Sequence, residues 1–151
     1  MTTPEFEALL MRLETASQVL RERGCLLQAI ARRYYVVYTI ANQAATRYGV
    51  RFRRGAQDDD DRQVTHSSIP DIVRALYTGQ NSGPVFGGGP GIARSGRLSD
   101  ADAFRYVQYL QQDRKHADYG HGTTPEPYAV EKADRHLDWA NHLIEDLKTL
   151  L

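Results

Sequence analysis

The chain has 151 residues, which is the length of one domain and enough to bury a core without cross-links. Its 19 basic and 19 acidic side chains give a formal net charge of zero, which excludes a general electrostatic attraction to nucleic acid or anionic lipid. The single cysteine, Cys25, excludes an internal disulfide framework, and no stretch approaches the roughly 20 apolar residues of a membrane span. We therefore expect one cytoplasmic domain over residues 1–151, with no secretion signal and with Cys25 as a small buried residue.

Two amphipathic helices are predicted at the start of the chain. Thr3 and Pro4 are typical of a helix start, and apolar residues then recur at helical spacing over residues 3–24. The second helix is predicted over residues 25–48, where the same alternation of three and four residues continues. The segment 34–38 favours a strand by propensity, but its position within the longer pattern predicts a helix.

Residues 49–66 are predicted to form a long loop with opposite charges in its two halves. Arg51, Arg53 and Arg54 come first, and four consecutive aspartates follow at 58–61. Runs of like charge are typical of solvated segments, so a linker whose halves neutralise each other is the favoured interpretation. The alternative is that the three arginines contact RNA phosphates.

A short third helix and a glycine-rich segment occupy the middle of the chain. Ser68, with Pro70 and Asp71, predicts a capped helix start, and Gly79 predicts the end. The following loop, residues 79–98, has no Lys-Ser or Lys-Thr after its glycines, which argues against a phosphate-binding loop. We expect this long segment to be disordered.

The fourth helix is predicted to run from Ser99, a potential cap, to a stop at Gly120. At about 100° per residue, its apolar arc also contains Arg114. His121 falls on the same arc if the turn continues, whereas His116 falls on the opposite face and is expected to be solvated. The apolar members of the arc are Ala103, Tyr106, Val107, Leu110 and Ala117.

A last helix is predicted from Thr124 to the end of the chain, with two prolines in its first turn. Its apolar residues repeat at a spacing of three and four, which is typical of a helix that packs along another at a shallow angle. The sequence therefore predicts an all-α fold, an antiparallel bundle of about five helices without a convincing strand.

Metal binding has little support in the histidine spacing. A di-iron bundle requires Glu-x-x-His on two helices, and the nearest approach is Asp113-x-x-His116, which is predicted to lie on an outer face. His136 and His142 are six residues apart and do not share one helical face. We therefore predict no metal and no cofactor.

Arg114 and His121 suggest chemistry on a phosphodiester. A guanidinium binds and neutralises the non-bridging oxygens, and an imidazole moves a proton. On RNA the neighbouring 2′-hydroxyl is the nucleophile, so no metal is required. The alternative is that Arg114 and Asp118, four residues apart, form an ordinary helix salt bridge and that His121 only ends the helix.

Three blocks of the sequence also resemble a known family. The segment 114–121 has arginine and histidine separated by six residues and includes Ala117-Asp118-Tyr119. Residues 31–38 form a tyrosine-rich helix, and residues 66–69 read His-Ser-Ser-Ile. In order and spacing, over roughly residues 5–150, these blocks resemble small prokaryotic HEPN domains, the "higher eukaryotes and prokaryotes nucleotide-binding" family.

The resemblance implies a homodimer that acts as a metal-independent endoribonuclease of the toxin or phage-defence kind. Arg114 and His121 match the signature arginine and histidine, with Asp118, Tyr119 and Lys115 in supporting positions. Such proteins are often paired with a small antitoxin that resembles a nucleotidyltransferase. The alternative is a HEPN-like module without catalytic activity that binds a nucleotide or such a partner, and a third interpretation is a helical adaptor.

Overall fold

The computed structural model describes residues 2–52, 66–81, 85–86, 91–92, 96, 98–119 and 128–151. This part of the chain forms an all-α helical bundle, which confirms the predicted fold class. None of the described helices combines the length and apolar character that crossing a membrane requires. The α-helices within these described ranges are α1 (Pro4–Glu22), α2 (Leu26–Tyr48), α3 (Ile69–Thr78), α4 (Asp100–Tyr119) and α5 (Tyr128–Lys148).

Helix α2 lies at the centre of the bundle and packs against α1, α3, α4 and α5. Because it has neighbours on several sides, it is apolar around much of its circumference. Its tyrosine- and valine-rich segment is helical, as predicted. Tyr34, Val36 and Val37 are fully buried against the neighbouring helices, and this packing outweighs their preference for a strand. Small residues such as Ala41 and Ala44 let the surrounding helices approach closely.

Most of the predicted helix ends are confirmed by their hydrogen bonds. The Thr3 hydroxyl accepts from the Phe6 N–H at 3.2 Å, and the Ser99 hydroxyl accepts from the Asp102 N–H at 3.1 Å. Gly49 ends α2 with φ of +67°, a conformation that glycine adopts without steric cost.

Ser68 differs from its prediction, because its side chain makes no capping hydrogen bond. A 3₁₀ turn, His66–Ser68, precedes α3 and places Ser68 in helical geometry, where a side-chain cap does not form. The predicted start of the last helix, residues 124–127, lies outside the described residues, and α5 is described from Tyr128 onwards.

Two described residues of the glycine-rich segment pack into the core, where the sequence predicts disorder; the prediction for residues 82–84, 87–90, 93–95 and 97 lies outside the described residues. Val85 is fully buried and Ile92 is 6% exposed, because both pack against the helices. Val85 and Phe86 form β2, which pairs antiparallel with β1 (Arg51–Phe52) in a minimal two-stranded sheet. The short pairing joins parts of the two predicted loops, and neither stretch has a strand pattern long enough to be read from the sequence.

The predicted apolar stripe of α4 is confirmed for three of its five apolar residues, whereas Tyr106 and Ala117 are only partly buried. Ala103, Val107 and Leu110 are fully buried, and Arg114, one turn further on, is only 7% exposed. Cys25 shows the opposite outcome, because it is exposed at the N-terminal end of α2 and not buried as predicted. The bend between α1 and α2 places it on the surface, outside the contact between the two helices.

Candidate functional site

Arg114 carries the guanidinium that the sequence singled out, and it lies between α4 and α2. Its Nη1 contacts the Asp118 carboxylate at 3.4 Å and the Tyr35 hydroxyl at 3.5 Å, and its Cζ lies 5.5 Å from the centre of the Tyr34 ring. Burial opposes the charge, but the hydrogen bond to Tyr35 and the surrounding tyrosines and Asp118 raise the pKa of Arg114 overall. The side chain is therefore a fixed cation at the edge of the core.

Two contacts of Arg114, those of Nη1 with Asp118 and with Tyr35, are longer than strong charge-assisted hydrogen bonds. Both distances exceed the 2.7–2.9 Å typical of charge-assisted hydrogen bonds. Asp118 is itself exposed, with 36% of its side chain accessible, so solvent weakens the ion pair. A phosphate group with two oxygens in a forked arrangement matches the guanidinium geometry better than one carboxylate oxygen at 3.4 Å does.

His66, in the 3₁₀ turn that precedes α3, contacts the tyrosines around Arg114. Together these side chains form the Arg114 cluster: Arg114, Asp118, His66, Tyr34, Tyr35 and Tyr38. The Nδ1 of His66 is 2.8 Å from the Tyr34 hydroxyl, and its ring stacks on Tyr38 with 4.5 Å between centroids. The edge of the Tyr35 ring meets it at 6.0 Å. The backbone carbonyl of His66 accepts a hydrogen bond from the Gln111 amide of α4, which fixes the turn against that helix.

The electrostatics of the cluster favour a neutral imidazole. Burial and then the charge of Arg114 lower the pKa of His66, while Asp118 raises it in part. Burial raises the pKa of Tyr34 to about 12, so its hydroxyl keeps its proton at neutral pH. The Tyr34 oxygen can accept from Nδ1–H, and Nε2, which has no hydrogen-bond partner among the described residues, then presents a lone pair.

The structure brings together only some of the residues predicted for the site. Arg114 and Asp118 contact each other, as expected of an ion pair four residues apart. Lys115 is exposed on α4. The remaining predictions lie outside the described residues: the side chains of Arg51 and Tyr119, and the whole of Arg53, Arg54 and His121.

The sequence did not identify His66 or the three tyrosines as members of the site. Tyr34, Tyr35 and Tyr38 lie at positions i, i+1 and i+4 of a helix, a spacing that places them along one side. That pattern alone is more typical of a core than of a binding surface. Only the tertiary fold brings His66, 32 residues further on, to the Tyr34 hydroxyl.

A second histidine cluster lies between α4 and α5. His136 is 3% exposed and its Nδ1 bonds to the Asp113 carboxylate, with Tyr109 and Trp139 stacked on the ring. The prediction of an outer face is wrong for Asp113, because α5 covers that side of α4, but it is confirmed for His116, which is exposed. Within the described residues no group of three potential ligands lies close enough to hold a metal ion.

The pKa of His66 provides a direct test of the cluster. We expect its imidazole to titrate below 6.5, to titrate higher in Arg114→Met, and to titrate lower still in Asp118→Asn. Below pH 6.5 the unfolded chain binds this proton more readily than the folded chain, so the stability that His66 contributes decreases as the pH falls. NMR titration of the imidazole nitrogens measures the shifts, and two variants that move the pKa in the same direction would contradict the described geometry.

Comparison with known proteins gives no match to a family model, to a curated protein or to a solved structure.

Proposed function

We propose that the protein is a metal-independent endoribonuclease of HEPN type whose site is centred on Arg114. The observation that supports this most strongly is the pairing of a buried guanidinium with a half-buried, neutral imidazole through one tyrosine. Arg114 lies over the Tyr34 ring and His66 Nδ1 bonds to the hydroxyl of the same ring. A charge clamp and a proton acceptor are the two groups that RNA transesterification requires.

In the proposed reaction, Arg114 binds the non-bridging oxygens of the scissile phosphate. His66 Nε2 takes the proton of the adjacent 2′-hydroxyl, and the 2′-oxygen attacks phosphorus while the bond to the 5′-oxygen breaks. The leaving 5′-oxygen takes up a proton, for which His121 is the candidate acid from the sequence. The products are a 2′,3′-cyclic phosphate and a free 5′-hydroxyl.

The sequence and the resemblance suggest further RNA contacts, supporting residues and partners. A homodimer would bring two such clusters together, and Arg51, Arg53 and Arg54 are candidate contacts to neighbouring RNA phosphates. Lys115 and Tyr119 are candidate supporting residues, and a nucleotidyltransferase-type antitoxin is the proposed protein partner. The proposed location is the cytoplasm.

The test is incubation of the purified protein with RNA in the presence of a chelator. We expect cleavage that survives chelation and yields 2′,3′-cyclic phosphate ends. His66→Ala and His121→Ala should each lower the rate by about 100-fold, the lower end of the usual range for loss of one acid or base. His116→Ala is the matched control because His116 is exposed on α4, outside the cluster. A His66→Ala protein that cleaves at the wild-type rate would remove His66 from the mechanism.

The second candidate is a HEPN-like module without catalytic activity that binds a nucleotide or a nucleotidyltransferase partner. It is favoured by the low exposure of Arg114, 7%, and by its contact with Asp118, since both are also compatible with a structural ion pair. The same assay separates the two candidates. Intact RNA in every lane, together with saturable binding of a nucleotide by the wild type, would support the module.

A further inference from the structure

An open groove of about 460 Å³ lies between α1, α2 and α5. It is on a different side of α2 from the Arg114 cluster. Its lining is mainly polar and includes Glu14 and Thr15 from α1, Arg33 from α2, and Asn141 and Lys148 from α5. The volume is in the range of natural sites for small ligands, about 300–1,000 Å³. Three helices contribute residues to the groove.

Arg33 is a half-buried cation in this groove, and it has no ion pair or hydrogen bond with any other described residue. The acidic group whose charge acts on Arg33, Glu14, is already bonded to Lys148 Nζ at 2.7 Å. Burial lowers the pKa of Arg33, with Glu14 opposing this effect and Arg21 adding to it. A partly desolvated guanidinium without a direct anionic partner has an energetic cost that a bound anion would remove.

Neutral donors lie beside this cation. The Thr15 hydroxyl and the Asn141 amide line the groove, and neither has a hydrogen bond to the rest of the described chain. Glu14 and Glu145 also line it, and Lys148, which pairs with Glu14, offsets part of their charge, so the groove suits one oxyanion group better than a polyphosphate. Ile144 gives the lining a small apolar part.

We propose that the groove binds the oxyanion group of a small polar ligand, a phosphate monoester or a carboxylate, with Arg33 as the main contact and Thr15 and Asn141 as neutral donors. Arg33 faces α1 and α5, whereas Tyr34 faces His66, so the inference does not depend on the proposed ribonuclease activity. The guanidinium fork suits both anions, because each presents two oxygens in one plane with it.

The test is calorimetric titration of the intact protein with inorganic phosphate and, separately, with acetate, against chloride at equal ionic strength. We expect saturable binding of phosphate, acetate or both by the wild type. Arg33→Gln should weaken it at least about tenfold, as expected for loss of a charge-assisted contact. Binding of phosphate alone identifies a phosphate ester as the natural ligand class, and binding of acetate alone identifies a carboxylate.

Arg32→Gln is the matched control, because Arg32 is the preceding residue of α2 and is exposed. It should bind like the wild type. If Arg33→Gln fails to fold, Asn141→Ala provides the second variant and should weaken binding by a smaller factor. The proposal is overturned if neither anion binds saturably, or if the variants of groove residues bind as tightly as Arg32→Gln.

Discussion

Replacing Arg114 with methionine is expected to lower kcat/KM for RNA cleavage by about 100-fold or more, the loss typical of one preorganised charge-stabilising group. The guanidinium is held over the Tyr34 ring at 5.5 Å and is only 7% exposed, so it is oriented before the substrate arrives. Methionine has a side chain of similar length without the charge, so it can fill most of the space that the aliphatic part of Arg114 occupies. It leaves Asp118 without its ion pair, but that carboxylate is exposed and hydrated by solvent.

Two further variants make the measurement specific. Arg114→Lys keeps the charge but not the fork, and we expect a rate about tenfold below that of the wild type. Arg105→Met is the matched control, because Arg105 is an exposed arginine of the same helix, paired with Asp102 one turn away. Circular dichroism checks that each variant is folded. Equal rates for Arg114→Met and Arg105→Met would rule out the charge clamp.

The helices and the burial of Arg114 could be predicted because both depend on local periodicity. Ala103, Val107 and Leu110 define one face of α4 by their spacing, and Arg114 follows on that face. The caps at Thr3 and Ser99 are likewise set by residues three positions apart. Such features require no knowledge of which helices meet.

The tertiary partners could not be predicted, because no local pattern encodes them. His66 reaches Tyr34 across 32 residues, and the pairing of Arg114 with Tyr35 spans 79 residues. Asp113 was predicted to lie on an outer face because its helix alone does not reveal that α5 brings His136 against it. The polar character of a residue indicates an exposed face only where no neighbouring helix supplies a matching group.

The exposure of Cys25 and the burial of Val85 also could not be predicted from the local sequence, because they depend on tertiary contacts. Because cysteines are most often buried, the residue type alone predicts that Cys25 is buried. The prediction fails because the connection between α1 and α2 places this residue at the surface. Val85 lies in a glycine-rich segment whose composition is typical of disorder, yet its side chain is fully buried against the helices. The burial of one apolar side chain can stabilise its own position without a periodic pattern in the surrounding sequence.

A buried carboxylate, Asp146 of α5, connects three parts of the fold. It is 5% exposed, and its Oδ2 accepts from the Tyr77 hydroxyl at 2.8 Å and from the Leu98 N–H at 3.2 Å. Burial and then the hydrogen bond and charge of Asp146 raise the pKa of Tyr77, so its hydroxyl remains a donor. A β-carbon at Gly96 would lie 2.9 Å from Oδ2, which shows how closely the backbone before α4 approaches the carboxylate.

Asp146→Ala is expected to lower the free energy of unfolding by about 3–4 kcal/mol, because it leaves a buried hydroxyl and a backbone N–H without their acceptor. Tyr77→Phe alone should cost about 2 kcal/mol, whereas in the Asp146→Ala background it should cost about zero, since the hydroxyl it removes is then unsatisfied. Denaturant unfolding of the four proteins measures this cycle.

Asp138→Ala is the control, because Asp138 lies on the same helix but is 61% exposed. It pairs with Arg21 at the surface, where loss of an ion pair costs about 0–1 kcal/mol. If the buried and the exposed aspartate prove equally costly to remove, Asp146 does not connect these elements as the structure indicates.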